Sequence, residues 1–301
     1  MNPLTLYESG LSTGAVSLSG LFEHKFAAAK SEISTQMLLD AVCRGGWPEA
    51  VALPVSDAQI LIREYMRLTL TESVPRQGKD PDVARRLLDS LARNISQAVT
   101  FKTLRKDMYG TEENLDDFIS ERTVSGYTAM FENMFVIDPI KGWVPPARDP
   151  KRLQTKACRY FADPSIAAAM LGMSPAALIG DWQTFGFLFE NLCIRDLLVY
   201  ARSLLDIGIE PVRYYRDDSG LECDAIIELS DGRWGGIEIK SSEDKVPEAS
   251  ANLCRLKDKL LRNPSARTRE PEFLAVLVGV GEFAYQRDDG VYVIPVGVLG
   301  A

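Results

Sequence analysis

The chain contains a single histidine, His24, among its 301 residues. A Ser-His-Asp or Cys-His mechanism would have to use that one imidazole, which lies in a polar N-terminal segment away from any nucleophile motif. The same scarcity leaves no ligand set for a zinc site. The five cysteines, Cys43, Cys158, Cys193, Cys223 and Cys254, are odd in number and scattered, with no CxxC pair. They read as reduced core thiols rather than a disulfide framework, which points to a cytoplasmic protein. No apolar run is long enough to span a bilayer, and Met1 to Gly10 lack the basic and hydrophobic regions of a secretory signal. There is also no GxxxxGK[ST] loop, hence no ATP site in this chain. Acid–base or metal chemistry must rest on Asp, Glu and Lys.

What is present suits a folded protein. Apolar residues make up 46% and charged residues 25%, enough for two domains with their own cores. The net charge of -8 argues against a generally sticky nucleic-acid binder. The charge is uneven, however. Lys141, Arg148, Lys151, Arg152, Lys156 and Arg159 face only Asp149 within residues 141–160. A solvated connector and a phosphate-contacting strip explain that run equally well.

Three textures follow one another. Residues 1–55 are rich in Gly, Ser and Thr, with turns at Glu8-Ser9-Gly10 and Arg44-Gly45-Gly46-Trp47-Pro48 and one short helical candidate. Residues 56–145 read as helical. Ser56 or Asp57 caps a helix turning Ile60, Leu61, Tyr65 and Leu68 inward, and Asp80-Pro81 opens another carrying Val83, Leu87, Leu88 and Leu91. A third helix falls near Thr100 to Met108, a fourth near Glu121 to Met134, and a strand at Phe135-Val136-Ile137-Asp138. Three helices and a β-ribbon make a winged-helix pattern, with Arg122, Thr123 and Ser125 opening the recognition helix toward DNA. A helical bundle joining two domains fits the same pattern.

Residues 146–301 are α/β in character. A long apolar helix from about Asp181 precedes strands near 211–216, 221–229 and 234–240, a helix over 246–262 and a strand at Phe273 to Val280. The order is α-β-β-β-α-β. On the third strand, alternation places Glu238 and Lys240 on one face, and a turn at Asp231-Gly232 brings Asp224 near the level of Glu238. Two carboxylates brought together repel, and a divalent cation relieves them. Oxygen donors from Asp224, Glu238 and the Ile239 carbonyl suit Mg²⁺ or Mn²⁺. Lys240 would orient a water and stabilise charge on a scissile phosphate. Glu190 projects from the apolar segment Gly186-Phe187-Leu188-Phe189-Glu190, where a bare carboxylate is costly without a partner. Arg216, with Arg213, Tyr214 and Tyr215, faces phosphate or packs along a sheet edge. An ExK triplet by itself reads as a surface salt bridge; the company of Asp224 and Glu190 lifts it above that.

The ordered motifs Pro3-Leu4-Thr5-Leu6-Tyr7-Glu8-Ser9-Gly10, Arg44-Gly45-Gly46-Trp47-Pro48, Arg122-Thr123-Val124-Ser125-Gly126-Tyr127, Asp163-Pro164-Ser165, Glu222-Cys223-Asp224 and Gly236-Ile237-Glu238-Ile239-Lys240 resemble the C-terminal region of bacterial and archaeal AAA-type ATP-binding proteins, which ends in a domain of unknown function. The resemblance implies a winged helix followed by a PD-(D/E)xK, restriction-endonuclease-like domain, with Glu190, Asp224, Glu238 and Lys240 as its site. Residues 1–55 then correspond to the last portion of an ATPase, and the ATPase itself, or a toxin- or defence-type protein, is the expected partner besides DNA. The expected function is metal-dependent phosphodiester hydrolysis. The alternatives are a non-catalytic DNA-binding or regulatory module on the same fold and a protein-interaction domain.

Overall fold

The computed structural model describes residues 2–110, 119–145 and 155–301. They form two units, one of residues 39–139 and 156–191 and one of residues 2–38, 140–155 and 192–301. The units cut across the division by texture, because the Gly- and Ser-rich start packs within the second unit.

In the first unit, helices Val55–Leu68, Pro81–Arg93, Phe101–Tyr109 and Glu121–Asn133 precede the strand Ile137–Ile140, which pairs with Cys158–Phe161 in a two-stranded sheet. Three helix starts are set by side chains. The Asp80 carboxylate accepts the amides of Asp82 and Val83, while the Thr100 and Ser120 hydroxyls accept those of Thr103 and Thr123. Two expectations are corrected here. Helix Val55–Leu68 begins after Pro54 without a side-chain cap and buries Ala58, Ile62 and Met66, leaving Ile60 and Leu68 about half exposed. The inward face also takes Gln59, whose amide donates to the Met173 carbonyl at 2.7 Å, so polarity misled the reading of that face. Phe135 lies outside the strand. It sits exposed at φ 56°, and the Val136 amide returns to the Phe131 carbonyl, which closes helix Glu121–Asn133 before the strand begins.

The second unit is built on a seven-stranded mixed sheet. Its order is Ala29–Lys30, Phe283–Gln286, Tyr292–Pro295, Phe273–Val280, Trp234–Ser242, Glu222–Glu228 and Arg213–Arg216. Trp234–Ser242, Phe273–Val280 and Tyr292–Pro295 run parallel, and the flanking pairs are antiparallel. Phe273–Val280 is apolar throughout, as a strand buried on both faces must be. The crossover helix Val246–Arg262 lays Ala249, Leu253, Leu256 and Leu260 into one apolar cluster with Val276 and Val278. The N-terminal segment adds the edge strand Ala29–Lys30, and Val16–Ser17 pairs with Leu299–Gly300. The architecture is mixed α/β, in the order read from the sequence. No helix among the described residues is long and apolar enough to cross a membrane.

Candidate functional site

The site starts from a hairpin. The Leu229 amide donates to the Arg233 carbonyl, and Gly232 takes the left-handed φ of 85° that the tight turn demands. This turn sets the register Glu228↔Trp234, Ile227↔Gly235, Ile226↔Gly236 and Ala225↔Ile237. The ladder ends there. Just beyond it, the Asp224 carboxylate accepts the Ile239 amide at 2.7 Å, as a strand carbonyl would have done.

Glu238 and Lys240 pair in register with Val276 and Val278 on the adjacent parallel strand, and register partners point to one face of a sheet. That face is the one covered by helix Val246–Arg262, so Glu238 is almost wholly buried, with only 3% of its surface exposed. Lys240 Nζ lies 2.7 Å from Glu238 Oε2 and 3.8 Å from Asp224 Oδ2. Exposure of the three side chains rises from Glu238 through Asp224 to Lys240, which is the group through which the trio meets solvent.

The electrostatics follow from that burial. Desolvation, then the neighbouring Asp224 carboxylate, pushes the Glu238 carboxyl up to about 8, against the pull of Lys240. Burial likewise raises Asp224, while Lys240 and the Ile239 amide oppose the rise. The neighbouring carboxylate thus adds to the rise at Glu238, while Lys240 and the Ile239 amide favour the charged form of Asp224. Cys223 is held well above the ordinary thiol range, first by burial and then by these two acids, so it is no nucleophile.

The donor chemistry fits a hard divalent cation: two carboxylates share one ammonium, and both are oxygen donors. Among the described residues, no group of three or more His, Cys, Asp and Glu side chains gathers to hold a metal. A cation here would take Asp224 and Glu238 and complete its shell from elsewhere.

The other residues singled out in the sequence have these surroundings. Glu190 belongs to the first unit, where its Oε1 accepts the Tyr160 hydroxyl at 2.6 Å. Arg122 is exposed on the first turn of Glu121–Asn133, Ser125 is half-buried, and Thr123 Oγ1 shares a 3.0 Å hydrogen bond with the capping Ser120. Arg216 lies on the edge strand Arg213–Arg216, paired across the ladder with Glu222 at 2.5 Å. Arg148, Lys151 and Arg152 lie outside the described residues. Elsewhere in the basic run, Lys141 pairs with Glu210, and Arg159 is largely buried over the Phe101 ring at 4.7 Å. A buried ion pair lies on the long helix Trp182–Arg202. Arg195 and Asp196 meet at 2.7 Å, and the Asp196 carboxylate accepts the Leu6 amide, tying the N-terminal segment down. A charged dipeptide inside an apolar helix was the available signal.

Residues 35–177 match the model of a domain of unknown function (DUF8612), and residues 185–299 match that of a second domain of unknown function (DUF4143). The latter domain is commonly found in AAA-ATPase-associated proteins. No curated protein and no solved structure matches the chain.

Proposed function

We propose that this protein is a metal-dependent phosphodiesterase acting on DNA, centred on Asp224, Glu238 and Lys240. The observation that carries the reading is the convergence of two carboxylates and one ammonium where the hairpin ladder ends. The α-β-β-β-α-β order of this part of the chain supports a PD-(D/E)xK, restriction-endonuclease-like reading, and the ExK triplet falls on Trp234–Ser242, an inner strand of the sheet. Asp224 and Glu238 would hold Mg²⁺ or Mn²⁺, which supplies Lewis acidity toward a phosphoryl oxygen and the attacking water. Lys240 offers the positive charge that stabilises the phosphate as negative charge builds on it. Helices Pro81–Arg93, Phe101–Tyr109 and Glu121–Asn133, with the ribbon that follows them, support a winged-helix role, with Arg122, Thr123 and Ser125 toward the DNA backbone. An ATPase on a separate chain is the partner in this reading.

The test incubates plasmid and linear DNA with Mg²⁺ or Mn²⁺ and the native chain, Asp224→Ala or Lys240→Ala. Cleavage by the native chain alone is expected. Equal cleavage by all three proteins overturns the proposal.

A second reading rests on one observation: Glu238 is buried and already bound to Lys240 at 2.7 Å, an arrangement that is electrostatically served without a cation. It makes the chain a non-catalytic DNA-binding or regulatory module. That module binds DNA in a salt-sensitive way, loses affinity on Arg122→Ala, and cleaves nothing.

A further inference from the structure

The first unit holds a cavity of about 350 Å³ built from three stretches of chain, 63–71, 81–85 and 169–170. Its floor is apolar, formed by Met66, Leu70 and Met170, and three arginines rim it, Arg63, Arg67 and Arg85. Leu70 belongs to Thr69–Ser73, a π-helical turn that interrupts the run of helix after Leu68. Such turns are rare, occur mostly as single-turn bulges within α-helices, and are frequent at functional sites. Arg67 and Arg85 keep acidic neighbours on their own helical segments, Glu64 at 2.8 Å and Asp89 at 3.9 Å. Arg63 has no ion-pair partner among the described residues, and Asp82 is the one acidic side chain in the lining. The lining itself thus carries three guanidinium groups against one carboxylate, with Arg63 standing outside the two pairs to Glu64 and Asp89.

We infer that this cavity binds a nucleoside monophosphate unit. Guanidinium groups match phosphate oxygens two at a time and also lie flat against aromatic rings. Methionine thioethers adapt to the face of a base and are polarizable. The volume stands at the lower end of small-ligand pockets, about 300–1,000 Å³, which suits one nucleotide and not a dinucleotide. The unit can be a free mononucleotide or the 5′-phosphorylated end of a strand, since both present the same phosphate and base. This inference stands apart from the phosphodiesterase reading and uses none of its residues.

Isothermal titration of the full chain tests it, with dTMP, thymidine, inorganic phosphate, and oligothymidylate carrying a 5′-phosphate or a 5′-hydroxyl. Binding of dTMP is expected, with thymidine and phosphate each weaker by about tenfold or more, the size of one charge-assisted hydrogen bond. Arg63→Ala and Arg85→Ala should each weaken dTMP by about tenfold, while Arg76→Ala, on the exposed Glu72 pair, leaves it unchanged. Tighter binding of the 5′-phosphorylated strand than of dTMP assigns the site to strand ends; the reverse assigns it to free nucleotide. Absence of binding by dTMP and by the 5′-phosphorylated strand overturns the inference. So does equal binding of thymidine and dTMP, or indifference to both arginine substitutions.

Discussion

Each unit buries carboxylate, and the two do so in opposite ways. In the first, Asp163 is fully buried and accepts the Gly46 amide at 2.8 Å, the Ser165 amide at 2.9 Å and the Ser165 hydroxyl at 2.5 Å. These three donors are neutral and fixed, and in taking them Asp163 caps helix Pro164–Met170 and anchors the Arg44-Gly45-Gly46-Trp47-Pro48 turn. Gly45 must be glycine there: its φ is 75°, and a Cβ would run into Asp163 and Ser165. In the second unit, Asp224 takes one amide, and Asp224 and Glu238 divide one ammonium between them. A carboxylate satisfied by fixed donors builds structure. A pair left short of positive charge costs stability and holds capacity for a cation or a substrate.

The contrast predicts opposite signs for the same substitution. Asp163→Asn puts an amide group where the Gly46 amide or the Ser165 donors need an acceptor, and should lower stability by about 2–4 kcal/mol. Glu238→Gln removes a buried charge and leaves Lys240 with Asp224, so near pH 8 or above it should raise stability by about 1–3 kcal/mol. Urea unfolding of the two variants beside the native chain checks both. Loss of stability in both variants would erase the distinction between the two sites.

The pH profile sharpens it further. The ordinary value for glutamate is 4.5, and Glu238 stands at about 8 in the folded chain. Between these limits the folded state holds a proton that the unfolded state has released, so stability falls as pH rises. The contribution is whole below 4.5 and gone above about 8. Melting temperatures of the native chain should therefore decline across this window, more steeply than those of Glu238→Gln. A divalent cation should flatten the native slope. Parallel profiles in the two proteins would show that Glu238 is not the group responsible.

Much of this was legible in the residues. Helix Val246–Arg262 lies within the limits its spacing predicts, with Pro247 in its first turn and Leu253, Leu256 and Leu260 on one face. Strand Phe273–Val280 is a continuous apolar run. Asp224 comes near Glu238 because Asp231-Gly232 can make only a short turn, and turn length fixes register. Other features left no local trace. Glu190 accepts a hydrogen bond from Tyr160, thirty residues away, a pairing that no periodicity encodes. Ala29–Lys30 joins the sheet beside Phe283–Gln286 as a two-residue strand, too short to show alternation. The inward face of Val55–Leu68 departs from its apolar spacing because Gln59 is buried through a hydrogen bond to a residue far along the chain. Local chemistry is readable where spacing or a turn carries it, and unreadable where a single distant donor decides.

The smallest expected effect belongs to an acid of the opposite kind in the same unit as the trio. Asp217 is pushed up by partial burial, but hydrogen bonds from Lys259, Ser219 and the Leu221 amide outweigh that and hold its carboxyl well below the usual range. A lowered carboxyl adds stability that is present above its unfolded value and lost as pH falls, the reverse of Glu238. Lys259 Nζ sits 2.6 Å from Asp217 Oδ2, yet the lysine is about half exposed and solvent screens the pair. Lys259→Ala should therefore lower stability at neutral pH by only about 0.5 kcal/mol, and by nothing once Asp217 is protonated. Thermal melts at neutral and strongly acid pH measure the difference. A loss as large as that of Asp163→Asn would mean that an exposed ammonium anchors the chain as firmly as buried neutral donors do, and the contrast drawn between carboxylates met by fixed donors and under-compensated ones would fail.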